Sequence, residues 1–240
     1  MSDDILKIGN KIEIDKVSKI KENNVKSDVY VSQILDLDED SKELTAAMPI
    51  FEGHIIPLSV EQELNVYFYS EKGIFKAKCK VLSRGKEDDI YIMQLKLISE
   101  MKKFQRRQFY RLPCNIEAII RILNDEQVDT YFINHLPPKV SSEQADIGMI
   151  VDISGGGVRI LTETKLDIDH CIFMTFPIKM NIGDVMIEAL GKVVDSIESP
   201  NRNNYYDNRI QFKEIDIELR DTIVKYIYEQ QRKIQRKERR

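Results

Sequence analysis

The sequence predicts a mainly β protein, with two small β domains that are each a barrel or a sandwich, followed by a C-terminal α-helix. Three observations lead to this fold class. Short segments of alternating apolar and polar residues recur along the 240 residues, the charge balance changes abruptly near residue 101, and the last 25 residues space their apolar side chains as a helix does. Hydrophobic residues make up 42% of the chain, which is enough to fill packed cores.

The first hundred residues contain six short segments rich in β-branched, leucine and aromatic residues, which we predict to be strands. They span residues 11–14, 29–37, 44–48, 64–69, 74–82 and 90–98. The segment 74–82 (IFKAKCKVL) alternates lysine with apolar residues, as expected for a strand with one solvated face. Turn-like residues at 37–41, 71–73 and 83–89 separate the segments. Six short strands within about 90 residues favour a small barrel or sandwich.

The charge balance divides the chain at a basic segment. Residues 1–100 carry 14 basic and 19 acidic side chains, whereas residues 101–240 carry 22 and 21. At the division, residues 101–111 (MKKFQRRQFYR) include five basic side chains and no acidic one. We therefore predict an N-terminal domain over residues 1–100, a connector over 101–111 and a second domain over 112–240.

After the connector we predict six further strands, a long loop and a terminal helix. The strands span residues 115–123, 148–153, 158–161, 172–176, 185–197 and 209–212. The segment 124–146 is polar, contains Pro137 and Pro138, and is interpreted as a long loop that is mobile or functional. Residues 216–240 are predicted to be helical, because apolar residues recur at three-, four- and seven-residue spacings without interruption by Gly or Pro. These residues are Ile217, Ile223, Val224, Ile227 and Ile234.

The end of this predicted helix is strongly basic. Six basic side chains stand among its last ten residues, against one acidic side chain, Glu238. Basic groups suit the C-terminal end of a helix dipole, so a solvated tail explains them, and contact with an acidic partner is the alternative.

Composition argues against several classes of protein. The net charge of −4 argues against a protein that coats nucleic acid, since neutralising phosphates needs a basic excess. No apolar stretch approaches ~18 residues, and the first residues (MSDDILKIGN) are acidic. We therefore expect neither membrane insertion nor a signal peptide.

Cysteine and histidine residues are few, widely separated and without a CxxC pair. They are Cys79, Cys114, Cys171, His54, His135 and His170. We expect small, buried, reduced cysteines in a cytoplasmic protein, and neither a disulfide framework nor a metal site.

Two segments carry candidate chemistry, and the first is the arginine-rich part of the connector. Arg106, Arg107 and Arg111 lie within six residues. An arginine offers a planar fork of donors that fits phosphate oxygens or the guanine edge, and it stacks on flat rings. The alternative is a solvated basic linker. Because no partner for these like charges is apparent in the sequence, we expect this segment to be mobile until an anion binds.

The second segment, residues 150–160 (IVDISGGGVRI), places three glycines between two predicted strands, where a ligand can approach the backbone N–H groups closely. Asp152 can accept hydrogen bonds from the N1–H and N2–H₂ edge of guanine, and Ser154 can donate one to phosphate. The alternative is an ordinary glycine hairpin with Asp and Ser as turn residues. The segment is not a P-loop, since no Lys-Ser/Thr pair follows, and not a dinucleotide-binding fingerprint, since a strand follows rather than a helix.

Taken together, the two segments resemble the double signature of the PilZ domain. Residues 107–111 supply Arg-x-x-x-Arg, and residues 152–157 supply Asp-x-Ser-x-x-Gly. The later segments GKVV and RIQF resemble strands of that family, and IGNKIEI, YVSQILDL and AAMPIFEGHIIPL resemble the YcgR-type N-terminal domain of flagellar brake proteins. The resemblance implies two small β-barrel domains, an N-terminal split-barrel-like one and a C-terminal six-stranded PilZ barrel, with a C-terminal α-helix. The segment 124–146 is longer than the corresponding link of the family.

PilZ domains are receptors for cyclic di-GMP, so the resemblance implies a ligand-binding site. Arg107 and Arg111 match the arginines that grip phosphate and guanine. Asp152 matches the acceptor of the guanine edge, Ser154 the phosphate donor and Gly157 the turn residue.

Two more arginines match positions with a role in the family. Arg159 matches a position that is often basic and is used against the ligand. Arg106 matches a position whose identity is associated with ligand stoichiometry, and a basic residue there implies two stacked ligand molecules per site. The resemblance implies no catalytic residue, no metal and no cofactor other than this ligand.

The resemblance also implies a mechanism and a partner. Because the arginines lie between the two domains, we expect ligand binding to order them and to change the interdomain arrangement. The implied partner is a flagellar motor protein, a stator or rotor component, and the implied output is reduced motility. A cytoplasmic receptor recruited to the flagellar basal body would act in this way.

Three alternatives remain open from the sequence. A cyclic di-GMP effector of exopolysaccharide production would share the same site. An RNA- or DNA-binding β-barrel would use the same arginines with Phe104, Phe109 and Tyr110 as stacking groups, although the acidic N-terminal half argues against it. Phe109 and Tyr110 could equally be buried core residues that hold the connector in place, rather than groups that stack on a base.

The third alternative is an enzyme. A phosphodiesterase would need a carboxylate and histidine cluster that the sequence does not display, so we expect no enzyme.

Overall fold

A computed structural model describes residues 5–16, 29–38, 40–134 and 145–238 of the chain. The chain divides into two compact units, one ending at Arg106 and the other beginning at Arg107. Residues 101–106 of the predicted connector therefore belong to the first unit, and residues 107–111 belong to the second. Three residues named above, His135, Pro137 and Pro138, lie outside the described ranges, as do two of the six basic residues near the C-terminal end, Arg239 and Arg240.

The first unit is an antiparallel barrel. Its strands are β1 (Lys11–Lys16), β2 (Val29–Asp38), β3 (Glu43–Ala47), β4 (Ile50–Phe51), β5 (His54–Ile55), β6 (Glu63–Ser70), β7 (Gly73–Glu87), β8 (Ile90–Leu97) and β9 (Lys102–Lys103). The hydrogen-bonded order is β6-β1-β2-β3-β8-β7, and β7 also pairs with β6, so the sheet closes on itself. Strands β4 and β5 form a small separate hairpin. Ile12, Ile14 and Phe68 are among the fully buried core residues, and the predicted N-terminal β-barrel is confirmed.

The alternation predicted for residues 74–82 is confirmed, because Ala77, Cys79 and Val81 are buried on one face of β7. The turn predicted over residues 83–89 is wrong, because β7 continues to Glu87 and the turn contains only Asp88 and Asp89. Both aspartates have positive φ angles, of 44° and 70°. Such a two-residue turn suits the twist of a hairpin, and Asp tolerates this backbone conformation.

The end of the first unit is bound to its barrel. Strand β9 pairs with β7, and the N–H of Phe104 donates to the carbonyl oxygen of Ile74 at 2.8 Å. The Phe104 ring lies 4.9 Å from the Tyr67 ring, centroid to centroid, and Met101 packs against the core. Residues 101–104 are therefore part of the first barrel.

The second unit is a closed barrel of six antiparallel strands. They are β10 (Leu112–Leu123), β11 (Ala145–Ser154), β12 (Gly157–Thr162), β13 (Cys171–Met180), β14 (Gly183–Glu198) and β15 (Tyr206–Phe212). Their order is β10-β11-β12-β15-β14-β13, and β10 and β13 pair to close the barrel. Ile150, Ile160, Phe176 and Ile187 are fully buried inside it. The predicted six-stranded C-terminal barrel is confirmed.

The segment 124–146 was predicted to be a loop, and this is wrong for its first part, which forms helix α1 (Asp125–Asn134). A reciprocal cap begins the helix. The N–H of Gln127 donates to Oδ1 of Asn124 at 2.8 Å, and the N–H of Asn124 donates to Oε1 of Gln127 at 3.0 Å. Apolar residues spaced three and four apart then pack outside the barrel, against Leu123, Phe173 and Leu190. These helix residues are Val128, Tyr131 and Phe132.

The terminal helix α2 (Ile217–Glu238) packs through its middle on the second barrel. Ile223, Tyr226 and Ile227 are buried in the barrel core. The predicted terminal helix is confirmed, and Ile217 and Ile234, near its two ends, are 73% and 43% exposed. A 22-residue helix offers more apolar positions than one small barrel covers. The described basic residues near its end, Arg232, Lys233, Arg236 and Lys237, are exposed.

The burial of α2 predicts which of its isoleucines stabilise the second unit. Ile223→Ala should lower the free energy of unfolding by about 2–5 kcal/mol, because it removes buried methyl groups and leaves a cavity. The matched variant Ile234→Ala, on the exposed part of the same helix, should change it by about 0.5 kcal/mol or less. Urea unfolding followed by circular dichroism measures both. Equal effects of the two substitutions would contradict this packing.

Candidate functional site

The β11–β12 hairpin carries the motif residues of the second segment and is held by a serine. Ser154 and Gly157 are cross-strand partners at its tip. The Ser154 hydroxyl donates to the carbonyl oxygen of Gly157 at 3.1 Å and accepts from the N–H of Gly156 at 3.4 Å. The hydroxyl hydrogen of Ser154 is therefore engaged within the turn, and this side chain is buried.

Gly157 is required by the close approach of two strands. A Cβ atom at this position would lie 2.0 Å from the carbonyl oxygen of Ile210 on β15, where no atom fits. The N–H of Phe212 donates to the carbonyl oxygen of Gly156 at 3.0 Å, which binds the turn to β15. Glycine is therefore required at position 157 because the neighbouring strand leaves no room for a side chain.

Gly155 and Gly156 form a seat for Phe109. A Cβ atom on Gly155 would lie 2.6 Å from Cδ1 of Phe109, and one on Gly156 would lie 3.4 Å from Cδ2. Phe109 is half-buried, whereas Tyr110 is 55% exposed. These two aromatic residues were candidates either for packing in the core or for stacking on a ligand. Phe109 packs on the two glycines, as a residue that seats the connector would, whereas Tyr110 faces solvent.

Strand pairing brings the arginine segment, residues 107–111, to this hairpin. At the start of β10, Leu112 pairs with Ile153 and Pro113 pairs with Asp152. Arg111 directly precedes Leu112, so its backbone lies one residue beyond this pair, beside Ser154. Phe109 on its glycine seat places the segment over the tip of the hairpin. Arg107 and Arg111 both have exposed side chains.

Asp152 is bound by an arginine of the neighbouring strand. Nε of Arg159 donates to Oδ2 of Asp152 at 2.8 Å, and Nη1 of Arg159 donates to Oδ2 of Asp207 at 2.9 Å. Burial works against the charged form of Arg159, but the hydrogen bonds and charges of the two carboxylates outweigh it and raise the pKa of Arg159 above its usual value. Sequence reasoning missed Asp207, which lies on β15.

Arg106 belongs to the first unit and has partners there. Its Nη1 lies 3.0 Å from Oε2 of Glu13, and its guanidinium carbon lies 5.4 Å from the centroid of the Tyr69 ring. Burial works against the charged form of Glu13, but hydrogen bonds from Tyr69 and Lys11 and the charges of Lys11 and Arg106 hold the pKa of Glu13 below its usual value. The expectation that nothing pairs the connector arginines is therefore wrong for Arg106.

A cysteine lies close to Asp152 without becoming reactive. Sγ of Cys114 donates to the carbonyl oxygen of Ile150 at 3.6 Å. Burial, together with the charge of Asp152, raises the pKa of Cys114 to about 12. This thiol therefore stays protonated at neutral pH. Cys79 is fully buried, as expected, while Cys114 and Cys171 are partly buried.

Two features are absent from the described part of the chain, a metal-binding cluster and a membrane-spanning helix. No group of three or more His, Cys, Asp or Glu side chains within residues 5–16, 29–38, 40–134 and 145–238 is placed to hold a metal ion. Neither of the helices described above is long and apolar enough to cross a membrane.

The glycine seat predicts a specific rescue. Gly155→Ala should destabilise the protein by about 1–3 kcal/mol, because its Cβ displaces Phe109, while the backbone of Gly155 itself accepts alanine. Adding Gly155→Ala to the Phe109→Ala variant should cost nothing further. Denaturation of the four proteins in a double-mutant cycle measures this coupling.

Gly157→Ala is the contrasting variant. Its Cβ meets backbone and not Phe109, so Phe109→Ala should give no rescue there. Additive effects of Gly155→Ala and Phe109→Ala would show that Phe109 is not seated on this glycine.

Comparison with known protein families matches both units. The family described as "Flagellar protein YcgR" matches residues 7–97, and the family described as "PilZ domain" matches residues 105–229. No curated protein gives a significant match to the chain.

The chain is similar to solved structures at low sequence identity, and the match to the first of the two that follow supports the fold. The inhibitor of motility MotI/DgrA of Bacillus subtilis is 14% identical, with a TM-score of 0.71, and the match covers 94% of this chain and 98% of that chain. YcgR of Escherichia coli, solved in complex with c-di-GMP, is 11% identical with a TM-score of 0.43, covering 95% and 87% of the two chains. The PilZ match spans more than half of the residues and includes both signature segments. The chain therefore belongs to the PilZ-domain family, with a YcgR-type domain preceding its PilZ domain.

Proposed function

We propose that this protein is a receptor for cyclic di-GMP, which binds between the arginine segment and the glycine hairpin, residues 152–159. One observation carries the proposal. Strand pairing and the Phe109 seat bring the Arg-x-x-x-Arg and Asp-x-Ser-x-x-Gly segments, about 40 residues apart in sequence, to one end of the second barrel. The PilZ match, residues 105–229, includes every proposed ligand-binding residue.

The chemistry of the two segments fits the ligand. Cyclic di-GMP carries two phosphates and two guanines. The exposed guanidinium groups of Arg107 and Arg111 suit phosphate oxygens and the guanine N7/O6 edge. One carboxylate oxygen of Asp152 is bound by Arg159, and the other oxygen together with the remaining lone pair of the first can accept from the N1–H and N2–H₂ edge of guanine.

The strength of these contacts is sufficient for a receptor. Each charge-assisted hydrogen bond contributes roughly 1.5–3 kcal/mol. Four or five of them, less the ordering of the arginine side chains, reach about −8 kcal/mol, which corresponds to micromolar affinity. Arg106 already has two partners in the first unit, Glu13 and Tyr69, so a second stacked ligand molecule at Arg106 would contact a guanidinium that is already paired.

The output we propose is inhibition of the flagellar motor. The arginine segment starts directly after the last residue of the first unit, so a ligand that orders it changes the freedom of one unit relative to the other. The first unit matches the family described as a flagellar protein, and a protein of the same fold is named an inhibitor of motility. The proposed partner is a stator or rotor protein at the flagellar basal body.

The site predicts the effect of removing one arginine. Arg111→Ala should weaken cyclic di-GMP binding about 10- to 150-fold, because one or more charge-assisted contacts are lost. Arg107→Ala should have a similar effect. Isothermal titration calorimetry measures the affinities, with GTP and cyclic di-AMP as comparison ligands.

The matched control is Arg202→Ala, which removes an exposed arginine that stacks on Tyr205 in the second unit, outside both signature segments. This variant should bind as the unaltered protein does. Unchanged binding by the Arg107 and Arg111 variants would refute the site, and no binding by the unaltered protein would refute the function.

The output predicts ligand-dependent partner binding. Immobilised protein should retain a purified stator or rotor protein in the presence of cyclic di-GMP, and much less without it, because the ligand selects the binding arrangement. The Arg111→Ala variant should retain little under either condition. Equal retention with and without the messenger would contradict the proposed switch.

A further inference from the structure

We propose that Asp207 is a positioning residue of this site, and that it acts through Arg159 to hold Asp152 in the orientation that receives the ligand. The proposal rests on the function proposed above. It also changes the expected role of Arg159, which becomes a clamp on Asp152 and not a group that contacts the ligand.

Three adjacent strands supply the clamp. Asp152 on β11 and Arg159 on β12 are cross-strand partners, and Arg159 also pairs with Arg209 on β15. Asp207 lies on the same outer face of β15, two residues before Arg209. Arg159 therefore bridges two carboxylates, with Nε on Asp152 at 2.8 Å and Nη1 on Asp207 at 2.9 Å.

The burial of the two carboxylates favours keeping Arg159 between them. The side chains of Asp152 and Asp207 are only 18% and 12% exposed. If Arg159 turned away to grip a phosphate, two carboxylates would remain close together, largely buried and without their shared counter-charge. Leaving such charges uncompensated is strongly unfavourable. The ligand thus meets an arginine that already has two anionic partners.

The clamp fixes the carboxylate of Asp152 in the orientation in which it can accept hydrogen bonds from guanine. Arg159 binds Oδ2 of Asp152, so the orientation of the carboxylate is set before the ligand arrives, and Oδ1 and the second lone pair of Oδ2 remain as acceptors for guanine. A carboxylate that is already oriented loses less side-chain freedom on binding, which favours affinity. A residue that sets the orientation therefore contributes to affinity without touching the ligand.

Asp207 has no other side-chain role within the described part of the chain. Its Oδ2 binds Arg159, and its Oδ1 is buried without a hydrogen-bond partner among those residues. Shortening Asp207 therefore removes one anchor of Arg159 and no other polar contact. This makes Asp207 a clean probe of the clamp.

The same face of the barrel offers a matched control. Arg209 and Asp195 form an ion pair at 2.9 Å between β15 and β14. Asp195→Ala also deletes an outward carboxylate that binds an arginine, but that arginine does not contact Asp152.

The decisive experiment titrates cyclic di-GMP into Asp207→Ala, Arg159→Lys and Asp195→Ala by calorimetry at several salt concentrations. Asp207→Ala should weaken binding about tenfold, and Asp195→Ala should stay within about twofold of the unaltered protein. Arg159→Lys should also weaken it about tenfold, because an ammonium lacks the planar fork that bridges both carboxylates. The salt dependence of affinity should not change in either clamp variant, since no contact to phosphate is lost.

The opposite results identify the alternative role. If Arg159 grips phosphate, Arg159→Lys will retain most of the affinity, and Asp207→Ala will act like Asp195→Ala. Either of these outcomes overturns the clamp. If the unaltered protein binds no cyclic di-GMP, the proposed function fails and this inference fails with it; if it binds normally and only the clamp prediction fails, the function stands.

A second measurement needs no ligand. In protein labelled with ¹⁵N-arginine, the Nε–H signal of Arg159, assigned with Arg159→Lys, should exchange slowly with water because it is bound to Asp152. Asp207→Ala should accelerate that exchange, while Asp195→Ala should not. Fast exchange of this signal in the unaltered protein would overturn the proposal.

Discussion

The antiparallel pairing of β10 with β11 is the constraint on which the candidate site depends. It begins at the Leu112–Ile153 pair, so the residues just before β10 must run alongside the β11–β12 hairpin. The glycines there leave room for Phe109, which anchors the arginine segment by packing rather than by charge. A barrel strand thus brings together two short motifs that the chain keeps about 40 residues apart.

The electrostatics of the site follow from the same geometry. Cations in the arginine segment are exposed, whereas the nearby anion, Asp152, is largely buried and held by Arg159. The candidate site therefore combines solvent-exposed guanidinium groups with a carboxylate that an arginine of the neighbouring strand holds. The protonated thiol of Cys114, beside Asp152, adds no competing charge at neutral pH.

Most of the fold could be predicted from the sequence, because apolar alternation and turn residues are local signals. The strands of both barrels and the terminal helix fall close to their predicted positions. Helix α1 was not predicted, because the polar composition of this segment resembles that of a loop. The sequence does contain helix signals there, since Asn124 and Gln127 can form a reciprocal cap and three apolar residues follow at helical spacing. The exposure of Ile217 and Ile234 could not be predicted, because spacing shows which residues share a helix face but not how much of that face a small barrel covers.

The site was predictable only in part, for a physical reason. Residue types and short spacings reveal the two motifs, but ion pairs form between residues far apart in sequence. Asp207 lies 48 residues from Arg159, and Glu13 lies 93 residues from Arg106, so no local pattern could indicate either pair. The internal hydrogen bond of Ser154 likewise depends on the turn that forms around it.

The account is tested most directly by amide hydrogen–deuterium exchange of the full chain with and without saturating cyclic di-GMP. It predicts that the ligand slows exchange in residues 107–111 and 152–159, while the β13–β14 hairpin on the same barrel, which serves as an internal reference, is unchanged. Unchanged exchange in both segments at saturating messenger, or protection confined to other parts of the chain, would contradict it.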